Sequence, residues 1–377
     1  LSESYPSGLA FSWMGLDYGA SGLYMAAHDS ELETIQLNAG ADPVGQEIDL
    51  SISHFPFCGE GGAATTVRCI VRPYEGTWHC AAERYRAWLD TWRHPVAPPP
   101  WVHEITGMQL AIMKQQNGDI HWSYRDLDRL VDLGTEGGLN LLGLYGWTEG
   151  GHDRHYPVYD VSDEMGGEQA LREGIERAHC AGQRVILYTN GQLRDMSSDW
   201  HQTVGRETAA VSERGEPFGE SWQKYRDAPV RLMTYACQSA AAWSDLLLSL
   251  ARKVESLGAD GILFDQLGIC QPPFCFSDRH GHDGPARATG PGVTANLIRI
   301  QREMHAVNPD FIIMVEVVND GINQYADFTH GCGPSFSPGE PGFPELLRFT
   351  WPELLVTQRH DAPAIDRESV NWACLYG

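Results

Sequence analysis

Gly258-Ala259-Asp260-Gly261-Ile262-Leu263-Phe264-Asp265 is the stretch on which the reading of this chain turns. Gly258 follows a helix-like segment, Ser239 to Leu257, and Gly is the residue that most readily takes the left-handed backbone that ends a helix. Gly261 to Phe264 is then a short apolar run of strand length, closed by a carboxylate. The same punctuation recurs on either side. Ala181-Gly182 precedes the run Arg184 to Thr189, and Asn308-Pro309 precedes Phe311 to Val315. Helical patterns over Tyr124 to Leu133, Gly167 to Ala181, Ser239 to Leu257 and Val293 to Val307 alternate with strand patterns over Glu104 to Leu110, Asn140 to Tyr145, Arg184 to Thr189, Gly261 to Phe264, Phe311 to Val315 and Ala326 to Thr329. Alternation of this kind predicts a parallel sheet covered by helices. Leu346 to Thr350 and Asn371 to Leu375 are the candidates for a seventh and an eighth strand. The fold expected for residues 101–377 is therefore an α/β (β/α)8 TIM-type barrel. A doubly wound open sheet is the alternative, but Gly107 stands alone after the first strand, where such sheets carry a glycine-rich phosphate loop.

Upstream the texture differs. Residues 1–75 read as a partial antiparallel β-sandwich, with short runs such as Gly22-Leu23-Tyr24-Met25-Ala26 and Thr65 to Val71 separated by Gly, Ser and Asp. Residues 76–100 read as a linker helix and a Pro-rich connection. Trp78, Ala81, Ala82, Tyr85, Trp88, Leu89 and Trp92 recur at helical spacing, and Pro95 and Pro98-Pro99-Pro100 stop the helix.

The net charge of −23 sets a like-charge barrier against phosphate backbones and anionic membranes, so neither nucleic acid nor a membrane is expected as a partner. An uncharged glycoside or oligosaccharide meets no such barrier, and 12 Trp with 14 Tyr supply stacking surfaces. The nine cysteines are Cys58, Cys69, Cys80, Cys180, Cys237, Cys270, Cys275, Cys332 and Cys374. They are odd in number, scattered and without a CxxC pair, which favours reduced thiols and a cytoplasmic setting. The start at Leu1 leaves secretion open, and the oligomeric state is open as well.

In barrels of this type the chemistry sits at the C-terminal strand ends. Strand four runs into Asp265 and strand five into Glu316, each after an apolar run where an uncompensated carboxylate is costly. Neighbouring strands lie about 4.8 Å apart. Two such carboxylates can therefore stand at the roughly 5–5.5 Å that a retaining glycosidase uses, with Asp265 as nucleophile and Glu316 as acid/base. Asp327, in strand six, is the rival for the acid and otherwise a residue orienting the ligand. Other strand-end residues are expected to bind substrate, each with a structural alternative. Trp147 would stack on a sugar ring or close the barrel top. Asp153 would hold sugar hydroxyls or orient Arg154. Asn190 would donate to a hydroxyl or cap the turn at Gly191. Phe274 lies in a long loop of the kind that forms lids. His152, Asp153 and His155, and likewise Asp278, His280, His282 and Asp283, have spacings that can hold a metal. His103 stands alone where metal-dependent barrel hydrolases carry a His pair, so neither a metal nor an organic cofactor is expected.

Several of these strings together resemble a known family. Leu144-Tyr145-Gly146-Trp147, Gly150-Gly151-His152-Asp153, Tyr156-Pro157, Leu187-Tyr188-Thr189-Asn190-Gly191, the Gly258–Asp265 stretch and Val315-Glu316 are similar to bacterial barrel proteins classed as glycoside-hydrolase-like. These in turn are distantly similar to retaining α-glycosidases, including endo-α-N-acetylgalactosaminidases and the α-amylase superfamily. The resemblance covers most of residues 101–335. It implies a nucleophilic Asp after strand four, here Asp265, and an acid/base Glu after strand five, here Glu316. α-Amylase relatives carry Arg two residues before the nucleophile, where this chain has Leu263. The α-galactosidase-like clan places its acid as an Asp on strand six, where this chain has Asp327. The activity implied is hydrolysis of α-glycosidic bonds with retention. The alternatives are a non-catalytic carbohydrate-binding barrel and a metal-dependent hydrolase.

Overall fold

The structure is a computed structural model that describes residues 1–42, 44, 47–331 and 345–358. Strands β1 (Ser2–Tyr5), β2 (Trp13–Asp17), β3 (Ser21–His28), β4 (Ile35–Ala41), β5 (Ile48–His54) and β6 (Arg68–Glu75) come first, then helix α1 (Trp78–Leu89). They form two three-stranded antiparallel sheets, ordered β1-β4-β5 and β2-β3-β6. Helix α1 lays Ala81, Tyr85 and Leu89 against Tyr24 and Tyr74 of the second sheet and Phe11 just ahead of it. Tyr5, Ile35 and Leu37 of the first sheet, with Leu32 ahead of β4, belong instead to the main core, which continues without a break into the following strands.

From Met108 onward, strands and helices alternate. Strand β7 (Met108–Ile112) leads to α2 (Leu127–Glu136), β8 (Leu141–Tyr145), α3 (Gly167–Cys180) and β9 (Arg184–Asn190). An inserted region follows: β10 (Leu193–Asp195), α4 (Asp199–Thr203), β11 (Gly219–Trp222) and β12 (Arg231–Tyr235). The alternation resumes with α5 (Ala241–Ser256), β13 (Gly261–Asp265), α6 (Gly290–Val307), β14 (Ile312–Glu316) and β15 (Phe328–Gly331), and the described chain ends with α7 (Glu345–Thr350) and β16 (Val356–Gln358). Among the described residues seven strands pair in the order β7-β8-β9-β13-β14-β15-β16, every pair parallel. The order follows the chain with no reversal. A doubly wound sheet must reverse at a switch point, so this sheet is the curved wall of a TIM-like domain. No helix among the described residues is long and apolar enough to cross a membrane.

Two strand expectations need correction. Leu346 to Thr350 is helical, because Leu347 and Trp351 stand four apart, pack in one cluster and close a helical turn (Trp351 N to Leu347 O, 2.8 Å). The seventh strand is β16 instead, while Asn371 to Leu375 lies outside the described residues. The first strand begins at Met108, four residues later than expected, since Pro100–Glu104 turns as a 3₁₀ segment. The insertion between β9 and α5, with its antiparallel sheet β10-β12-β11, had no counterpart in the sequence reading.

That insertion is pinned by Arg194, which is fully buried and has no carboxylate in ion-pair contact among the described residues. Its guanidinium donates instead to Gly205 O, Thr208 Oγ1 (2.7 Å), Thr234 Oγ1 (2.9 Å) and Tyr235 O (3.1 Å), and burial pulls its pKa down to about 9. Arg194→Met would remove one donor each from the buried carbonyls of Gly205 and Tyr235, which keep Thr208 Oγ1 (2.8 Å) and Ala210 N–H (3.0 Å), and from the hydroxyls of Thr208 and Thr234. It is expected to lower the unfolding free energy by about 1–3 kcal/mol through the lost charged hydrogen bonds, as read by denaturant titration.

Candidate active site

The register of the parallel sheet brings the strand ends together. Asp265 pairs with Asn190 of β9, and Glu316 of β14 pairs with His330 of β15. Asp265 and Glu316 sit one step beyond the Phe264–Val315 pair that joins their strands. Glu316 lies within hydrogen-bond contact of Asp265, and the Asp153 charge also acts on Asp265. Asp265 Oδ2 accepts from the Tyr188 hydroxyl (2.7 Å) and from Asn190 Nδ2 (3.2 Å), and Glu316 Oε2 accepts from the Gln266 backbone N–H (3.0 Å). Burial, then the neighbouring Glu316 carboxyl, lift Asp265 well above the ordinary carboxylate range.

The backbone is strained at both positions. Gln266 (φ 60°) and Val317 (φ 73°), the residues directly after the two carboxylates, are left-handed. For a β-branched residue such as Val317 this costs on the order of 1–3 kcal/mol, and strain of this kind clusters where a site must be held in shape. The turn after Asp265 then passes so close to β14 that a Cβ on Gly268 would lie 2.1 Å from Glu316 O, which only glycine tolerates.

Aromatic side chains line the wall beside the acids. Tyr145, at the end of β8, stacks on Tyr188 (centroids 4.5 Å apart), and His152 and His330 set their edges near these rings. Asp153 is almost buried at φ 54°, and its carboxylate receives the Tyr156 hydroxyl (3.1 Å) and an ion pair from Lys224 of the insertion. Burial pushes the Asp153 carboxyl up, but His152, Lys224 and Tyr156 together outweigh it and hold the group below its ordinary value.

The remaining expected residues fall differently. Asn190 fills both of its possible roles, since Oδ1 caps the turn by accepting from the N–H groups of Gln192 (2.9 Å) and Leu193 (2.6 Å) while Nδ2 reaches Asp265. Trp147 is 1 % exposed, donates Nε1–H to Tyr188 O (2.8 Å) and stacks on Tyr159. Its faces are covered, so it closes the barrel top and offers no platform to a sugar. Asp327 is a second correction. It precedes β15 at the opposite end of the sheet, where Oδ2 accepts from Ile313 N (2.8 Å) and faces His305, so it belongs neither to the acids nor to the mouth. Phe274 packs edge-on against Phe55 and Phe57, joining the loop after β13 to the segment after β5, and makes no ring contact with the site.

Tyr145 and Tyr188 stand in the strings that carry the family resemblance but are not among the expected site residues, and His330 and Lys224 are not singled out by the sequence at all. Tyr188 faces inward because it stands two residues before the strand end, the same face as Asn190. His330 lies one residue beyond the expected strand end at Thr329, whereas the strand runs from Phe328 to Gly331. Lys224 arrives from the unanticipated insertion.

Residues 64–320 match the family model described as "Domain of unknown function (DUF6259)". Over 143 residues the sequence is 25% identical to a Bacteroides thetaiotaomicron protein named "Putative glycoside hydrolase", a match covering 37% of this chain and 20% of that protein. Among solved structures, ligand-free α-N-acetylgalactosaminidase NagBb from Bifidobacterium bifidum superposes with a TM-score of 0.72 at 15% identity, over 95% of this chain and 62% of that one. The Geobacillus stearothermophilus α-galactosidase AgaA, as a variant with 1-deoxygalactonojirimycin, gives 0.61 at 11% identity, over 99% and 53% of the two chains. At these identities the likeness is one of fold. The chain spans a fifth of the curated relative it matches and less than two thirds of these solved structures.

Proposed function

As a member of the DUF6259 family, matched from β6 through β14, this chain carries paired acids at a barrel mouth, and we propose that it is a retaining glycoside hydrolase acting on α-linked, uncharged glycosides. The observation that carries the reading is the Asp265–Glu316 pair, two carboxyls at the ends of adjacent parallel strands beside an aromatic wall. The names of the fold relatives, an α-N-acetylgalactosaminidase and an α-galactosidase, support α-linked galactose-type sugars as the first substrates to test. We take residues 1–75 as a β-rich accessory region, 76–100 as the connection, and 101–377 as the catalytic barrel, closed by an eighth strand.

Tyr188 and Asn190 orient Asp265 through Oδ2 and leave Oδ1 as the attacking oxygen. In the double displacement, Asp265 forms a bond to the anomeric carbon while the bond to the leaving oxygen breaks, and that oxygen takes its proton from Glu316. Water then loses a proton to Glu316 and displaces Asp265, returning the enzyme to its starting state. Hydrogen-bond contact between the acids is shorter than the roughly 5–5.5 Å of the working geometry. The sugar must therefore part them, and Glu316, with one more rotatable bond than Asp265, takes up the difference. Two side-chain donors on Asp265, Tyr188 and Asn190, favour the charged carboxylate there once the sugar intervenes. Asp153, ionised and fixed by Lys224, is placed to accept sugar hydroxyls.

Hydrolysis of an aryl-glycoside panel, led by 4-nitrophenyl α-galactoside and α-N-acetylgalactosaminide, tests the activity. Release of nitrophenol from an α-anomer is expected, and a panel inert at high enzyme concentration would point to a barrel that only binds sugars. Tyr188→Phe removes one of the two donors to the nucleophile. It is expected to lower kcat by roughly 10- to 100-fold with little change in KM, since an interaction worth about 1.5–3 kcal/mol to the charged group is lost.

A further inference from the structure

We infer that the chain holds a structural zinc ion, ligated by the thiolates of Cys237 and Cys275 and the imidazoles of His280 and His282, which clamps the loop after β13 to the insertion after β9. The inference does not rest on the glycosidase reading. The four ligand atoms, one from each side chain, all lie within 4.8 Å of one another. A tetrahedral zinc with bonds of about 2.0–2.3 Å has ligand–ligand edges of about 3.3–3.8 Å. The separation of 3.4 Å between Cys275 Sγ and His280 Nδ1 falls in that range, and every other pair, being within 4.8 Å, lies at most about 1 Å beyond it.

Three further observations fit a metal better than a set of neutral side chains. His280 Nε2 lies 2.8 Å from the Glu207 carbonyl, which can only accept, so Nε2 carries the proton and Nδ1 presents its lone pair toward the thiols. A ring nitrogen anchored on a carbonyl while the other faces the metal is the usual outer support of a histidine ligand. Both ring nitrogens of His282 are buried with no hydrogen-bond partner among the described residues, and a metal bond would satisfy one of them. Cys237 and Cys275 are buried free thiols rather than a disulfide. Two thiolates and two imidazoles are a soft set that selects zinc over calcium or magnesium.

All four coordination positions come from protein, the mark of a structural rather than a catalytic zinc. The site joins segments that otherwise have little regular structure. Cys237 stands between β12 and α5, and the Cys275–His282 loop bonds to the insertion through Phe276 N to Val211 O (2.9 Å) and Gly281 N to Ser239 O (3.1 Å). That loop begins directly after Asp265, so the ion would fix the wall of the mouth from outside. In sequence, Cys237 is far from the Cys275-x₄-His280-x-His282 cluster, and only the fold unites them.

The test is elemental analysis of the full chain, purified untagged under reducing conditions. One zinc per chain is expected, retained on dialysis and removed by a strong chelator with a fall in Tm. Exchange with cobalt(II) is expected to give thiolate-to-cobalt charge-transfer bands and the intense visible bands of tetrahedral coordination. His282→Gln should keep the parent's circular dichroism and bind zinc at least about 100-fold more weakly, since even outer-shell changes cost 10–100-fold. Absence of stoichiometric zinc after it is supplied, an octahedral cobalt spectrum, a Cys237–Cys275 disulfide in the mass spectrum, or undiminished zinc affinity in His282→Gln would each overturn the assignment.

Discussion

Asp265→Asn is expected to reduce turnover of an α-glycoside by about 10⁴- to 10⁶-fold while sugar binding survives, because the amide keeps the shape of the carboxylate but cannot form the glycosyl-enzyme; losses of this size accompany removal of a nucleophile. The same change is expected to stabilise the fold. Burial and Glu316 raise the pKa of Asp265 in the folded protein. Its contribution to stability is therefore fully present below the ordinary carboxylate pKa and is lost as pH rises through the raised value. Unfolding free energy should fall with pH in the parent, and the variant should escape part of that fall. The expected difference is on the order of 1–2 kcal/mol at pH 8, typical of relaxing a strained functional site. Denaturant titration of both proteins at pH 5 and pH 8 reads it, and a variant less stable than the parent at both values would mean that the pair is not under electrostatic strain.

The second large effect concerns the seam between the N-terminal sheets and the barrel. Asp320, fully buried just after β14, accepts the hydroxyls of Tyr5 (2.7 Å) and Tyr85 (2.6 Å), while its neighbour Asn319 donates to the carbonyls of Pro6 and Leu9 (both 3.1 Å). One carboxylate thus ties β1 and α1 to the barrel. Asp320→Ala leaves the buried Tyr5 hydroxyl without its acceptor and the Tyr85 hydroxyl with Ser12 Oγ alone (2.9 Å), and is expected to cost about 2–4 kcal/mol by denaturant titration. Burial lifts Asp320 to about 6 against the pull of its hydrogen bonds. Its stabilising contribution is complete below the ordinary carboxylate value and declines as pH climbs through about 6. Asp320→Asn should flatten that part of the pH profile while retaining one acceptor, at a smaller loss of about 1–2 kcal/mol.

What the sequence made legible follows from which forces are local. Helix stops at Gly182, Gly258 and Asn308-Pro309 are local chemistry, so β9, β13 and β14 were located to within a residue or two, and Asp265 and Glu316 with them. Strand-end carboxylates after apolar runs are conspicuous because their burial is costly. The strand near Phe328 was blurred because Ala326, Asp327 and Phe328 allow either of two starts. Ending the strand at Thr329 leaves out His330, at the mouth, and starting it at Ala326 takes in Asp327, at the opposite end. Trp147 reads alike as a platform and as a core residue until its neighbours are known. Leu346 to Thr350 is apolar enough for a strand, and the contact between Leu347 and Trp351 made it a helix. The insertion, which supplies Lys224, Arg194 and Cys237, is polar and lacks a clear period, and its structure comes from tertiary contacts.

Asp265 and Glu316 performing a double displacement is the claim on which the functional account stands. Proton NMR of the first sugar released from an aryl α-glycoside, recorded before mutarotation, tests it most directly. The α-anomer is predicted as the initial product, and initial release of the β-anomer would contradict a glycosyl-enzyme on Asp265.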